Sequence, residues 1–157
     1  MILACDPGLS GAFAFWPSEP EPALHISDMP TTLMKTSKGK ERRFIDERGV
    51  FNLIYCSGAT RLVIEDVNGA PGQSAPAAFS FGYGVGIIIG AAIATGLEIE
   101  RVPASVWKRA MRAPADKRGS RARASELMPA SAHLWPLAKH DGRAEAAMLA
   151  LYAERHL

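Results

Sequence analysis

The chain has 157 residues and a formal net charge of +2, with 48% hydrophobic and 22% charged residues. This composition is typical of one globular domain with a buried core, and it excludes a disordered chain, a fibre and a disulfide-stapled miniprotein. The charge is unevenly distributed, because residues 1–100 carry a net charge of −4 and residues 101–157 a net charge of +6.

Neither the amino terminus nor the longest apolar run predicts export or membrane insertion. The longest run, residues 85–97, has 13 residues and includes three glycines, whereas a membrane-spanning helix needs about 20 apolar residues. No basic segment precedes Asp6, so the amino terminus does not resemble a signal peptide. Cys5 and Cys56 lack CxxC spacing. We therefore expect a cytoplasmic protein with reduced thiols and no membrane contact.

The first residues predict three antiparallel strands. An apolar run, Ile2–Cys5, ends at a turn, and a second run, Gly11–Trp16, completes a hairpin. A third strand, Leu24–Asp28, alternates apolar positions and ends before Pro30.

A polar connector and a helix follow these strands. The helical spacing of Val50, Leu53 and Ile54 predicts a helix that Gly58 ends. The connector before it is basic, with Lys35, Lys38, Gly39, Lys40, Arg42 and Arg43.

The second half of the chain predicts alternating strands and helices. The segments are a strand over Arg61–Val67, a helix over about Ala77–Thr95, a strand over Leu97–Val102, and helices over Pro103–Met111, Arg118–Leu127 and Gly142–His156. A hairpin start followed by βαβ units predicts an α/β fold. We expect a five-stranded mixed sheet, with three antiparallel strands and then parallel strands, and helices on both faces.

Four acidic residues occupy unusual positions in these elements. Asp6 ends the first strand, and Glu65 lies within an apolar strand, where an isolated carboxylate is costly to bury. Asp141 and Glu145 are four residues apart on the last helix and share one of its faces. If the first and fourth strands are neighbours and the last helix crosses them, all four carboxylates converge.

Such a set of oxygen donors favours hard cations, Mg²⁺ or Mn²⁺, and two ions would support phosphodiester hydrolysis. Each residue also has a purely structural interpretation. These are an Asx turn for Asp6, an ion pair with Arg61 or a nearby lysine for Glu65, a helix cap for Asp141, and an ion pair with Arg143 or Lys139 for Glu145.

Residues 101–125 contain eight basic residues against Asp116 alone, a net charge of +7. A solvated helix face usually interleaves acids with bases, so this density favours a surface that binds nucleic acid.

Five blocks resemble, in chain order, those of RuvC-type Holliday junction resolvases, in particular the phage-like branch. They are DPGLSGAFAF, RLVIEDV, FGYGVGIIIGAAIATGLEIERVPASVWKRAM, DKRGSRARASELMP and KHDGRAEAAMLALY, which together cover nearly the whole chain. The resemblance implies a ribonuclease H-like fold and a single nuclease domain over residues 1–157. It also implies a Mg²⁺-dependent homodimer that resolves four-way DNA junctions by paired symmetric cleavage, in recombination and repair. It implies no small-molecule cofactor, and a place in the bacterial cytoplasm or in the host cytoplasm of a phage.

The resemblance also assigns residues. Asp6, Glu65 and Asp141 match the metal-ligand positions of the family, and Glu145 matches the fourth acidic position, which many relatives fill with Asp three residues after the third. Where the family often has an aromatic wedge, this chain has Asn68, with Phe79 and Phe81 as possible substitutes. The DNA-binding set is Lys108, Arg109, Arg112, Lys117, Arg118, Arg121, Arg123 and Asn68.

Other readings share parts of this pattern. A flap, fork or RNA nuclease would use the same carboxylates, a catalytically inactive scaffold would bind junctions without cutting them, and an ATPase of the sugar-kinase type would need a second domain. His140 is expected to be an exposed bystander and Trp107 a packing residue. The glycine-rich helix from about Phe79 to Thr95 is the candidate dimer interface, and packing on its own sheet is the alternative.

Overall fold

The computed structural model describes residues 1–17, 23–37, 39–67, 72–114 and 116–157. In chain order the strands are β1 Ile2–Asp6, β2 Ala12–Trp16, β3 His25–Asp28, β4 Thr31–Lys35, β5 Glu41–Ile45, β6 Arg61–Asp66 and β7 Glu98–Pro103. The α-helices are α1 Glu47–Tyr55, α2 Ala75–Ala94, α3 Ala104–Met111, α4 Lys117–Leu127 and α5 Asp141–His156. Two 3-10 helices, Pro129–Leu134 and Ala138–His140, connect α4 to α5.

The main sheet has five strands in the order β3-β2-β1-β6-β7. β1 pairs with β2, and β2 with β3, in antiparallel fashion, whereas β6 runs parallel to both β1 and β7. The predicted mixed sheet is confirmed. This order makes β1 the central strand and places β6 directly beside it.

Alternate residues of the central strands enter two separate cores. Leu3 and Cys5 of β1 lie in the core beneath α1 and α2, whereas Ala4 lies in the core beneath α5. On the α5 side β2 also contributes alanines, Ala12 and Ala14. Small side chains on this face let α5 approach β1 and β2 closely, and half of the buried residues of α5 are alanines: Ala144, Ala146, Ala147, Ala150 and Ala153.

The segment predicted as a polar connector before α1 contains two strands. β4 and β5 form a separate two-stranded antiparallel sheet, in which Thr31 pairs with Ile45 and Lys35 with Glu41. Ile45 is the only one of their residues that is fully buried. The hairpin is therefore held by backbone hydrogen bonds with little burial, and the sequence carries no apolar alternation that would indicate it.

α2 has 20 residues and begins ten residues before the apolar run of residues 85–97 that indicates it in the sequence. Its 20 residues include no charged side chain, and by length and composition alone it could cross a membrane, with a mean hydropathy of 1.8. Ser80 and Tyr83 precede that run within the helix, so a criterion based on uninterrupted apolar residues misses the first part of α2. A helix that covers one face of a sheet meets the same criterion, and α2 packs against α1 and β7.

Candidate active site

Asp6 and Glu65 lie side by side at the carboxyl ends of two parallel strands. Ala4 pairs with Val63 and Cys5 with Ile64, so continuing this register by one residue sets Asp6 beside Glu65. Because side chains alternate along a strand, both point to the face that Ala4 and Val63 share, which α5 covers. The first and fourth predicted strands are thus neighbours, which was one of the two conditions for the carboxylates to converge.

The amino-terminal turn of α5 comes close to Asp6 at Gly142. A Cβ at this position would overlap Ser10 O and lie 2.9 Å from Asp6 Oδ2. Only glycine therefore lets α5 begin beside the turn that follows Asp6. Sequence reasoning did not single out Gly142, because the need for it arises only once α5 packs on β1.

The Asp6 carboxyl group lies in a region of concentrated negative charge. Burial, and then the negative charges of Glu145 and Glu65, raise its pKa from the ordinary 3.8 to about 7. Lys108 and the Gly8 backbone N–H, which donates to Asp6 Oδ1 over 3.5 Å, act in the opposite direction. Asp6, Glu65 and Glu145 thus form one electrostatic cluster.

Glu65 is held by an indole. Trp107 Nε1 donates a hydrogen bond to Glu65 Oε2 over 2.9 Å, and the Trp107 side chain is fully buried in α3. Burial raises the pKa of Glu65, while the bond from Trp107 and the charge of Lys108 oppose that shift. Trp107 is therefore more than a packing residue. The signal that could have identified it is chemical, since a buried indole N–H needs an acceptor.

Glu145 takes its partners from α3 and α4. Lys108 Nζ lies 3.2 Å from Glu145 Oε1 and 3.3 Å from Oε2, and Ser120 Oγ donates to Oε1 over 3.0 Å. The alternatives of pairing with Arg143 or Lys139 are wrong. Arg143 instead makes two hydrogen bonds of 2.6 Å with the Asp28 carboxylate.

Asp141 faces a different neighbour. Arg121 Nη1 donates to Asp141 Oδ1 over 2.9 Å and also to Ala138 O over 3.0 Å. Asp141 is the first residue of α5, and His140 occupies the cap position before it. His140 is buried, contrary to expectation, and its Nδ1 accepts a hydrogen bond from Leu137 N–H.

The donor set fits a hard divalent cation in its chemistry, because it offers only carboxylate oxygens. In the part of the chain that the structure describes, however, no three His, Cys, Asp or Glu side chains are grouped closely enough to hold a metal ion. Trp107, Lys108 and Arg121 each engage one of the carboxylates through a hydrogen bond. The residues available to hold a cation are Asp6, Glu65 and Glu145, with Asp141 one helical turn before Glu145.

The predicted DNA-binding residues divide into two groups. Lys108 and Arg121 point into the carboxylate site, and Arg123 bonds to Met111 O and Glu126. By contrast, Arg109, Arg112 and Arg118 are exposed and make no ion pair among the described residues. Lys117 begins α4, but its side chain and the whole of Asn68 lie outside the described residues.

The two candidate substitutes for the wedge differ in their surroundings. Phe79 is 76% exposed and stacks on Tyr83, with ring centroids 6.4 Å apart. Phe81 lines a cavity of about 260 Å³ together with Pro7 and Arg42. Phe79 is thus the one that faces solvent.

Comparisons with known proteins identify the fold. No family model matches the sequence, and no curated protein matches it. The chain is similar to the Thermus thermophilus RuvC structure, with a TM-score of 0.58 and 15% identity over 98% of this chain and 95% of that one. It is also similar to T. thermophilus RuvC in complex with Holliday junction substrate, with a TM-score of 0.59 and 13% identity over 99% of this chain and 96% of that one. The chain therefore has the ribonuclease H-like fold of RuvC.

Proposed function

We propose that the chain is a Mg²⁺- or Mn²⁺-dependent endonuclease that resolves four-way DNA junctions. The observation that carries this proposal is the cluster of Asp6 on β1, Glu65 on β6 and Glu145 near the amino-terminal end of α5. The cluster lies on a fold shared with a RuvC structure determined with Holliday junction substrate. A protein that only bound DNA would gain nothing from gathering negative charge where phosphates must approach.

Asp6, Glu65 and Glu145 would hold the cations, and Asp141 would join them on release from Arg121. Two divalent cations would supply an activated water and neutralise the charge on the leaving oxygen. Trp107 and Ser120 fix the orientations of Glu65 and Glu145, respectively, as outer partners of metal ligands do.

Lys108 places a positive charge within this acidic cluster. Its ammonium group opposes the rise in the pKa of both Asp6 and Glu65 while it pairs with Glu145. When DNA is bound, the same group would attract the phosphate to be cut. The exposed Arg109, Arg112 and Arg118 would contact the phosphates that flank it.

Paired cleavage requires two sites, and we assign the second to a twofold partner that docks on α2. Tyr83 and Ile93 of this helix are 52% and 66% exposed. A Cβ at Gly82, Gly86 or Gly90 would meet no atom of the described residues within 4 Å, so packing within the chain does not account for these glycines. An apolar face with small residues suits close approach by a second copy.

A panel of labelled DNA substrates tests the proposal. Four-way, forked, flapped and single-stranded DNA, and an RNA duplex, would be incubated with wild type, Asp6→Asn and Glu145→Gln, with Mg²⁺ and with excess chelator. We expect symmetric nicks in the four-way junction, only with Mg²⁺ and only with wild type. Preferred cutting of flaps, forks or RNA would identify a different nuclease. Binding without cutting would identify a scaffold.

A further inference from the structure

The β4–β5 hairpin carries basic side chains that the proposed site does not use. Lys35, Lys40, Arg42 and Arg43 are all exposed, and Glu41 is the one acidic residue beside them. Within the described ranges none of these four makes an ion pair, whereas Lys108, Arg121, Arg123 and Arg143 each do. The positive charge of the hairpin is therefore free to attract an anion.

The base of the hairpin is fixed to the body of the protein. Ile45 is 7% exposed and packs against Gly84 of α2. The packing is close, because a Cβ added at Gly84 would lie 3.1 Å from Ile45 Cγ1. Asp46 N–H also donates to Pro30 O over 3.0 Å. Beyond this base the strands contribute little to either core, and five residues extend about 17 Å from it. The hairpin is thus a projection with a firm attachment.

The hairpin also borders the turn that follows Asp6. Arg43 Nη2 donates to Ser10 Oγ over 2.8 Å, and Ser10 lies in the turn between β1 and β2. Arg43, Ser10, Lys139 and His140 line a cavity of about 250 Å³ at this point. The hairpin follows β3 at one edge of the sheet, and α3 with Lys108 follows β7 at the other. Asp6, on the central strand, lies between the two basic groups.

We infer that the hairpin binds the phosphate backbone of a duplex arm of the DNA, on the side of the site opposite α3. This inference rests on the proposed function and adds a second contact surface to it. A projection of about 17 Å matches roughly five base pairs at 3.4 Å each. Basic side chains on exposed strands also protect a sheet edge from aggregation, and that role alone would predict no effect on DNA affinity.

Salt-dependent binding separates these roles. The Asp6→Asn protein, in which the DNA stays intact, serves as the parent, and anisotropy measures its affinity for a labelled four-way junction and for duplex DNA. Lys35→Ala/Lys40→Ala removes two ammonium groups that make no ion pair with any residue in the described ranges. The loss of two phosphate contacts should reduce the slope of log binding constant against log salt concentration by about 1.8. Between 50 and 200 mM salt, the affinity of this variant should therefore fall about 12-fold less than that of the parent.

A second hairpin variant and a control complete the experiment. Arg42→Ala/Arg43→Ala should flatten the slope by a similar amount, since arginines contact phosphates in the same way. Arg61→Ala/Arg155→Ala, which removes two charges at the opposite end of β6 and α5, should leave the slope unchanged. Circular dichroism confirms that each variant is folded.

The outcomes distinguish the two proposals. Parent-like slopes in both hairpin variants, or an equal change in the control, would overturn the role of the hairpin and leave the proposed nuclease intact. Failure of the parent to bind either DNA would overturn both proposals.

Discussion

Replacing Asp6 with Asn should stabilise the metal-free protein, and the gain should grow with pH. Asp6 ionises near 3.8 in an unfolded chain and near 7 in the folded protein, because burial and the charges of Glu145 and Glu65 disfavour its anion. Between these values the folded state binds more protons than the unfolded state, so its stability falls as pH rises. Well above pH 7, Asp6 is ionised in both states, and its ionisation lowers the free energy of unfolding by the full amount. Asn keeps the size of the side chain and an oxygen for the Gly8 N–H.

The size of the effect follows from the displacement of the pKa. A shift of about three units corresponds to roughly 4 kcal/mol at pH 8, and the same linkage leaves roughly 2 kcal/mol at pH 5. Urea unfolding followed by circular dichroism, in chelator at pH 5, 6, 7 and 8, measures the difference between Asp6→Asn and wild type. Adding Mg²⁺ should then stabilise wild type more than the variant, because a cation held by Asp6 binds only the folded state.

Asp28→Asn is the control of opposite sign. The hydrogen bond from Arg143 lowers the pKa of Asp28, so its ionised form favours folding at neutral pH and this contribution is lost as the pH falls through that lowered pKa. Its carboxylate is 63% exposed, so the loss on substitution should be small. An Asp6→Asn protein no more stable than wild type at pH 8 would refute the account of Asp6 as a strained, buried anion.

Three further predictions concern the partner of Glu65, the close approach of α5 and the exposed face of α2. Trp107→Phe removes the hydrogen bond to Glu65. The single-turnover cleavage rate should fall by roughly 10- to 100-fold, and a higher Mg²⁺ concentration should be needed. A rate equal to that of wild type would show that the indole only packs. Gly142→Ala should cost about 1–3 kcal/mol in urea unfolding, because its Cβ overlaps Ser10 O. The matched Gly8→Ala, whose Cβ would lie 3.8 Å or more from its neighbours, should change stability by less than about 0.5 kcal/mol, and equal losses would contradict the close approach of α5. Ile93→Asp, on the exposed face of α2, should yield a folded monomer in sedimentation that no longer makes paired nicks, and a wild type that is itself monomeric on junction DNA would disprove the interface.

Local patterns in the sequence were sufficient to predict the elements that carry the site. Asp6 lies at the end of one apolar run and Glu65 lies within a second. Both stand out in the sequence because burying a carboxylate without a compensating partner costs free energy. The spacing of Asp141 and Glu145 places both on one face of α5. The mixed character of the sheet followed from a hairpin and βαβ connections, which allow few arrangements, whereas the strand order came from the tertiary structure.

The tertiary structure alone decided which partner each carboxylate takes. Trp107 and Glu65 are 42 residues apart, and Lys108 and Glu145 are 37 apart, so no local periodicity relates them. Asp141 and Glu145 share a helical face, yet Asp141 pairs with Arg121 of α4, whereas Glu145 pairs with Lys108 of α3 and also accepts a hydrogen bond from Ser120 of α4. The β4–β5 hairpin escaped prediction for a related reason: backbone hydrogen bonds pair its strands while nearly all of its side chains remain in water, so burial leaves no pattern in the sequence to read.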